Sequence, residues 1–210
     1  MIQEGVATAR RQDLRRGLWL EYGGLAYNVL EAAVGLAAGA AAHSVALIAF
    51  GLDSVIESAS ATVLVWRLRS ETRGTRTAED AERLAIRLVA GAFFALAAYV
   101  GVRAALDLIN ASRPEESVTG LVLAAVSVIV MPILASKKRA AARALDSRAL
   151  QADSRQTTLC TYLSAFLLVG LAANALFGWW WADPVAGLAI AFVAVKEGKE
   201  LWSTEDLCCP

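Results

Sequence analysis

Asp53 and Glu57 stand four residues apart inside SVALIAFGLDSVIESASATVLVW, an apolar stretch running from Ser44 to Trp66. On a helix, residues at that spacing share a face. Two carboxylates so placed repel unless a cation or a proton sits between them. A charge at mid-membrane costs about 2.5–3.5 kcal/mol even on the lenient insertion scale. The pair must therefore face a protein interior or a water-filled path rather than lipid. A bound metal ion or proton would account for it; protonated acids or ion-paired helix contacts are the alternatives. A second group lies in LQADSRQTTLC, where Asp153, Gln156 and Cys160 follow spacings of three and four and share a face. All three can ligate a cation, although Gln and Cys also pack commonly at helix interfaces. A third group is Asn28 and Glu31, three residues apart in another apolar run; with Asp153 they are candidates for an ion pathway. Glu21 is expected nearer the inner interface.

Such residues need helices long enough to cross a bilayer, about 20 mainly apolar residues each. Six stretches qualify, at about 18–42, 45–66, 84–109, 118–135, 152–177 and 184–202. Of the 210 residues 57% are hydrophobic, against roughly 45–50% in soluble domains. The connections alternate in charge. RLRSETRGTRTAEDAER, SKKRAAARALDSR and the leading ARRQDLRR are rich in Arg and Lys, whereas AAAHS, NASRPEES and FGWWWADP hold only Arg113. The positive-inside rule places the basic segments in the cytoplasm. The expected fold is an all-α membrane protein, a six-helix transmembrane bundle with both termini cytoplasmic. Residues 1–16 form a cytoplasmic tail, 17–203 the six-span domain and 204–210 a short cytoplasmic tail. Trp179–Trp181 suit an outer interface belt, and Lys196, Glu197, Lys199 and Glu200 look like anchors at the inner one. Arg103 and Asp107, four apart, are expected to pair.

The composition excludes other classes. Formal net charge is zero, so no broad attraction to nucleic acid is implied. A single histidine, His43, rules out a site built from several histidines of one chain, and it is read as a solvated loop residue. Three cysteines form no spaced disulfide framework, and Cys208 and Cys209 fall on a short tail. No Ser/His/Asp grouping and no HExxH occurs, so an enzyme is not expected.

SVALIAFGLDSVIE resembles the second-span motif of the cation diffusion facilitator family, LQADSRQTTLC its fifth-span motif, and WADPVAGLAIAFVAVKEGKELW its last span. The resemblance covers about Leu18 to Trp202. It implies a ligand set of Asp53, Glu57, Gln156 and Cys160, with Asp153 matching the acidic residue that precedes the fifth-span ligands. Phe50 replaces an acidic residue usual in the second-span motif, and Gln156 and Cys160 replace the usual His and Asp. The family's cytoplasmic metal-binding domain is not found, which fits a divergent, short branch. The resemblance further implies a secondary transporter exporting divalent cations by proton antiport, with alternating access, and a homodimer. Two carboxylates, an amide carbonyl and a thiolate suit a tetrahedral borderline ion such as Zn²⁺. The sulfur also admits Cd²⁺ or another soft metal. No tightly bound cofactor is expected; the partners are lipid, metal ions and protons. The Ala/Arg-rich usage points to a bacterial inner membrane. The competing reading is a non-transporting membrane protein that binds metal or a partner on the same bundle. Small residues in GLAAGAAA are suited to close helix approach.

Overall fold

The structure is a computed structural model describing residues 2–73, 78–112 and 115–206; Cys208, Cys209 and Arg113 lie outside the described residues. It is an all-α membrane bundle of six helices: α1 Ile2–Ala42, α2 Val45–Arg73, α3 Ala78–Ile109, α4 Val118–Leu145, α5 Arg148–Phe177 and α6 Ala182–Asp206. Among the described residues, four helices are long and apolar enough to cross a membrane: those spanning Gln12–Ala42, Val45–Trp66, Val118–Leu145 and Asp153–Phe177.

The helices run past the expected spans at one end of the bundle. Residues 2–17 continue α1, the RLRSETR segment continues α2, and SKKRAAARAL continues α4. Basic segments expected as connections are thus largely helical. Their Arg, Lys, Glu and Ala content has high helix propensity and no helix-breaking proline. The visible breaks occur where capping chemistry permits them. Ser117 and Ser147 accept bonds from the N–H groups of Gly120 and Leu150 at the starts of α4 and α5. Asp146 and Gly178 adopt left-handed geometry after α4 and α5.

Four helices close into a ring: α1 packs on α2, α2 on α5, α5 on α4 and α4 on α1. The α3–α6 pair packs outside it, against α2 and α5. The main core joins Leu47, Phe50, Phe93, Val100, Met131, Leu163, Leu167 and Ile190; a smaller one near the basic end joins Leu14, Leu64, Leu68, Ala142, Leu145 and Leu150.

Glycines bring α1 and α2 into close approach. A Cβ on Gly51 would lie 2.8 Å from the Leu36 backbone nitrogen, and one on Gly39 would lie 2.8 Å from that of Ile48. Gly35, Gly39 and Gly51 therefore bring α1 and α2 together within one chain. The small residues of GLAAGAAA serve this internal contact.

The first helix shows how the interior is patterned. Leu14, Gly17, Glu21, Gly24, Asn28, Glu31, Gly35 and Gly39 are buried, at steps of three and four. That stripe faces the ring. Trp19, Val29 and Leu30 are exposed on the other faces, where apolar side chains meet lipid. Phe177, Trp179 and Trp181 form an exposed stacked aromatic group, with Trp179 and Trp181 centroids 5.3 Å apart. The expected Arg103–Asp107 pair is present at 4.0 Å, and His43 is exposed at the end of α1. Glu197 departs from expectation. It is buried, while its neighbours Lys196, Lys199 and Glu200 are exposed. The helix turn that puts Gly198 against Phe94 directs Glu197 inward as well.

Candidate cation site

The ring places the inner face of α2 against that of α5. Asp53 and Glu57, one turn apart on α2, meet Cys160 of α5. One ligand atom from each of the three lies within 4.8 Å of the others, and all three residues are buried. A sphere of that size fits one ion held by two carboxylate oxygens and a sulfur, given metal–oxygen distances near 2.0–2.2 Å and metal–sulfur distances near 2.3 Å. Gln156, one turn earlier on the same face of α5, is buried, and its Nε2 has no hydrogen-bond partner among the described residues.

Local sequence accounts for this convergence. Gly51 lets α2 lie against α1, which fixes the rotation of α2 and points Asp53, Ser54 and Glu57 inward. On α5 the buried positions Asp153, Gln156, Thr157, Cys160, Ser164 and Leu167 continue one stripe. Thr157 anchors Glu57 directly, its hydroxyl lying 2.7 Å from Glu57 Oε1. The other oxygen, Oε2, has no hydrogen-bond partner among the described residues and remains available to a cation.

Glu31 of α1 is buried in a hydroxyl network. Its Oε2 accepts from Ser54 at 2.8 Å, and its Oε1 accepts from Ser127 of α4. The Ser127 hydroxyl also meets the Tyr27 hydroxyl at 2.8 Å. This network ties α1, α2 and α4 together beside the three-residue cluster. Asn28 is buried as well, with neither amide atom partnered among the described residues.

Asp153 has a specific partner that sequence reading missed. The ammonium of Lys138 on α4 lies 2.5 Å from Asp153 Oδ2 and 3.3 Å from Glu21 Oε2. Lys138 and Glu21 have no exposed side-chain surface, and Asp153 has 3%. Lys138 falls in SKKRAAARALDSR, which reads as a cytoplasmic connection, and Glu21 was expected nearer the interface. The signal was present in the spacing. Gly120, Ala124, Ser127, Met131, Ala135, Lys138, Ala142 and Leu145 are the buried positions of α4, at steps of three and four. Lys138 occupies that stripe; Lys137 and Arg139 do not.

The family comparison matches residues 24–204 to the model of the cation efflux transmembrane domain. The chain belongs to that family. It is a family of transporters, and the multi-pass architecture agrees with it. Among cation efflux relatives, an uncharacterized transporter of Synechocystis sp. is 27% identical over 187 residues, covering 86% of this chain and 60% of the relative. The cation-efflux pump FieF of Shewanella oneidensis is 31% identical over 113 residues, covering 54% of this chain and 36% of the pump. The chain thus spans less than two thirds of the length of either relative. Within the cation efflux domain, Asp53, Glu57 and Cys160 are, among the described residues, the acidic, cysteine or histidine side chains whose ligand atoms lie close enough together to share one ion.

Proposed function

We propose that this chain binds a divalent metal cation between α2 and α5 and exports it from the cytoplasm. The observation that carries the reading is the buried convergence of Asp53, Glu57 and Cys160 within 4.8 Å. Two carboxylates and a thiol at that distance form a donor set that a divalent ion stabilises, and they would repel one another if all were ionised without one. Gln156 completes the proposed set as a neutral ligand. The mixture of hard oxygen and soft sulfur favours Zn²⁺, with Cd²⁺ accepted, over Mg²⁺ and Mn²⁺.

Metal ligands must lose protons to bind, so loading releases protons and acid displaces the ion. Export coupled to inward proton movement follows when the site opens alternately to each side. The ring of α1, α2, α4 and α5 beside the α3–α6 pair supplies two bodies for such rocking. The basic ends of the helices support a cytoplasmic placement of both termini, in a bacterial inner membrane. Two copies are proposed to pair in the membrane. Gly35 and Gly39 already hold α1 against α2, so other lipid-facing surfaces would form that contact.

The test is Zn²⁺ and Cd²⁺ flux in proteoliposomes under an imposed pH gradient. Wild-type protein should move metal against the proton flow. Asp53→Ala should abolish flux while the folded protein stays in the membrane; undiminished flux in that variant would remove Asp53 from the site.

A further inference from the structure

The cluster of Lys138, Glu21 and Asp153 lies between the basic end of the bundle and the cation site. Asp153 and Cys160 are seven residues apart on α5, which places the ammonium's partner about 10 Å from the thiol along the helix axis. Three helices supply the cluster: Glu21 from α1, Lys138 from α4 and Asp153 from α5.

The two carboxylates are not used up by the ammonium. Glu21 Oε1 and Asp153 Oδ1 have no hydrogen-bond partner among the described residues, although both residues are buried. The 3.3 Å contact to Glu21 Oε2 is an ion pair without hydrogen-bond alignment. A carboxylate pair with spare oxygens, buried around one monovalent cation, is a setting in which a divalent cation competes well. A glycine lets the lysine pack closely against α1. Gly24 of α1 faces its tail, where a Cβ would lie 3.4 Å from Cε and 3.5 Å from Nζ. A flexible four-carbon stem carries the charge.

We propose that Lys138 is a built-in stand-in for the cargo. Its ammonium holds the Glu21–Asp153 pair on the cytoplasmic approach, and an entering divalent cation displaces it before reaching Asp53, Glu57 and Cys160. The approach therefore never presents two bare buried carboxylates. This rests on those three residues being the cation site. Thr157 connects the two places. Its hydroxyl bonds Glu57 Oε1 and lies 3.1 Å from the backbone carbonyl oxygen of Asp153.

The test is Co²⁺ binding to the purified chain in detergent, with Cys208→Ser and Cys209→Ser in every variant so that Cys160 is the one thiol of the sequence, followed by stoichiometry and by the thiolate-to-cobalt charge-transfer band. Wild-type protein should bind one Co²⁺ with that band. Lys138→Met should bind two, the second adding none of the thiolate band, and Lys138→Met/Glu21→Gln/Asp153→Asn should return to one. If Lys138→Met does not fold, Lys138→Met/Glu21→Gln retains the net charge of the wild-type cluster and should still gain a second, weaker ion. A wild-type band with no second ion in any folded Lys138→Met variant overturns the stand-in role alone. Absence of the thiolate band from wild type defeats the cation-site reading, and the stand-in role with it.

Discussion

The Ser44 hydroxyl donates to Asp183 Oδ1, joining the first turn of α2 to the first turn of α6. The other oxygen, Oδ2, accepts from the backbone N–H of Val45 at 3.0 Å and, more weakly, from that of Ala46 at 3.5 Å. Ser44 Oγ in turn accepts from the Leu47 N–H at 3.1 Å. A helix start leaves four N–H groups without partners, and here they are buried. One aspartate from a distant helix thus completes the cap of α2 and sets the depth of Asp53 and Glu57, two and three turns further in. The WADP segment is legible as a motif, but its function as a cap is not.

Removing that cap should destabilise the bundle. Buried hydrogen bonds to charged groups contribute about 1.5–3 kcal/mol each, and three sharing one carboxylate do not simply add. Asp183→Ala is expected to lower the thermal unfolding midpoint in detergent clearly, with Asp183→Asn intermediate because one acceptor oxygen remains. An Asp183→Ala protein as stable as wild type would show that the cap contributes nothing.

The glycine contact between α1 and α2 makes a second prediction. A methyl on Gly51 would meet the Leu36 backbone at 2.8 Å, closer than real Cβ contacts allow. Overpacking costs typically ~1–3 kcal/mol, and more where backbone must move. Gly51→Ala should reduce the yield of folded protein and weaken metal binding, since α2 must shift. Gly91→Ala has nothing within 4 Å of its new methyl and is the matched control. Equal unfolding midpoints for the two variants would refute the close-contact argument.

Cys160 should decide the metal preference. Replacing thiol by hydroxyl removes the soft ligand. Loss of outer-shell partners alone lowers metal affinity roughly 10–100-fold, so Cys160→Ser should weaken Cd²⁺ binding by at least that much while affecting Mn²⁺ far less. Ligand protonation competes with metal, so wild-type affinity rises with pH. With one titrating ligand gone, the affinity of Cys160→Ser should rise less steeply. Competition titrations at several pH values measure both effects, and an unchanged Cd²⁺/Mn²⁺ ratio would remove the sulfur from the site.

Thr157 tests the support around the ligands. Its bond to Glu57 Oε1 leaves Oε2 to face the ion. Thr157→Val keeps the shape but not the hydroxyl, and is expected to lower Zn²⁺ affinity roughly tenfold or more. Thr157→Ser should restore it. Equal Zn²⁺ affinity in wild type and Thr157→Val by isothermal titration would show that this bond does not orient the ligand.

The amino-acid sequence by itself determined the membrane bundle and the inward faces of α2 and α5. Long apolar runs demand burial in lipid, and acids spaced one turn apart inside them demand an interior partner. Those constraints are local, so spacing puts Asp53 with Glu57, and Asp153 with Gln156 and Cys160, on shared faces, while the resemblance to the cation diffusion facilitator motifs is what marks Gln156 and Cys160 as ligands. Only the tertiary structure decided what lies opposite each residue. Lys138 reads as one more basic residue of a cytoplasmic segment because its burial depends on how far α4 continues and which stripe it turns to the ring. Glu21 and Asp153 acquire their meaning only when three helices bring them to the same ammonium. The glycines of α1 likewise read as a surface for any helix, and the packing of α2 against them settles which one. Charge pairing across helices depends on register and rotation, and these are set by close contacts between residues far apart in the chain.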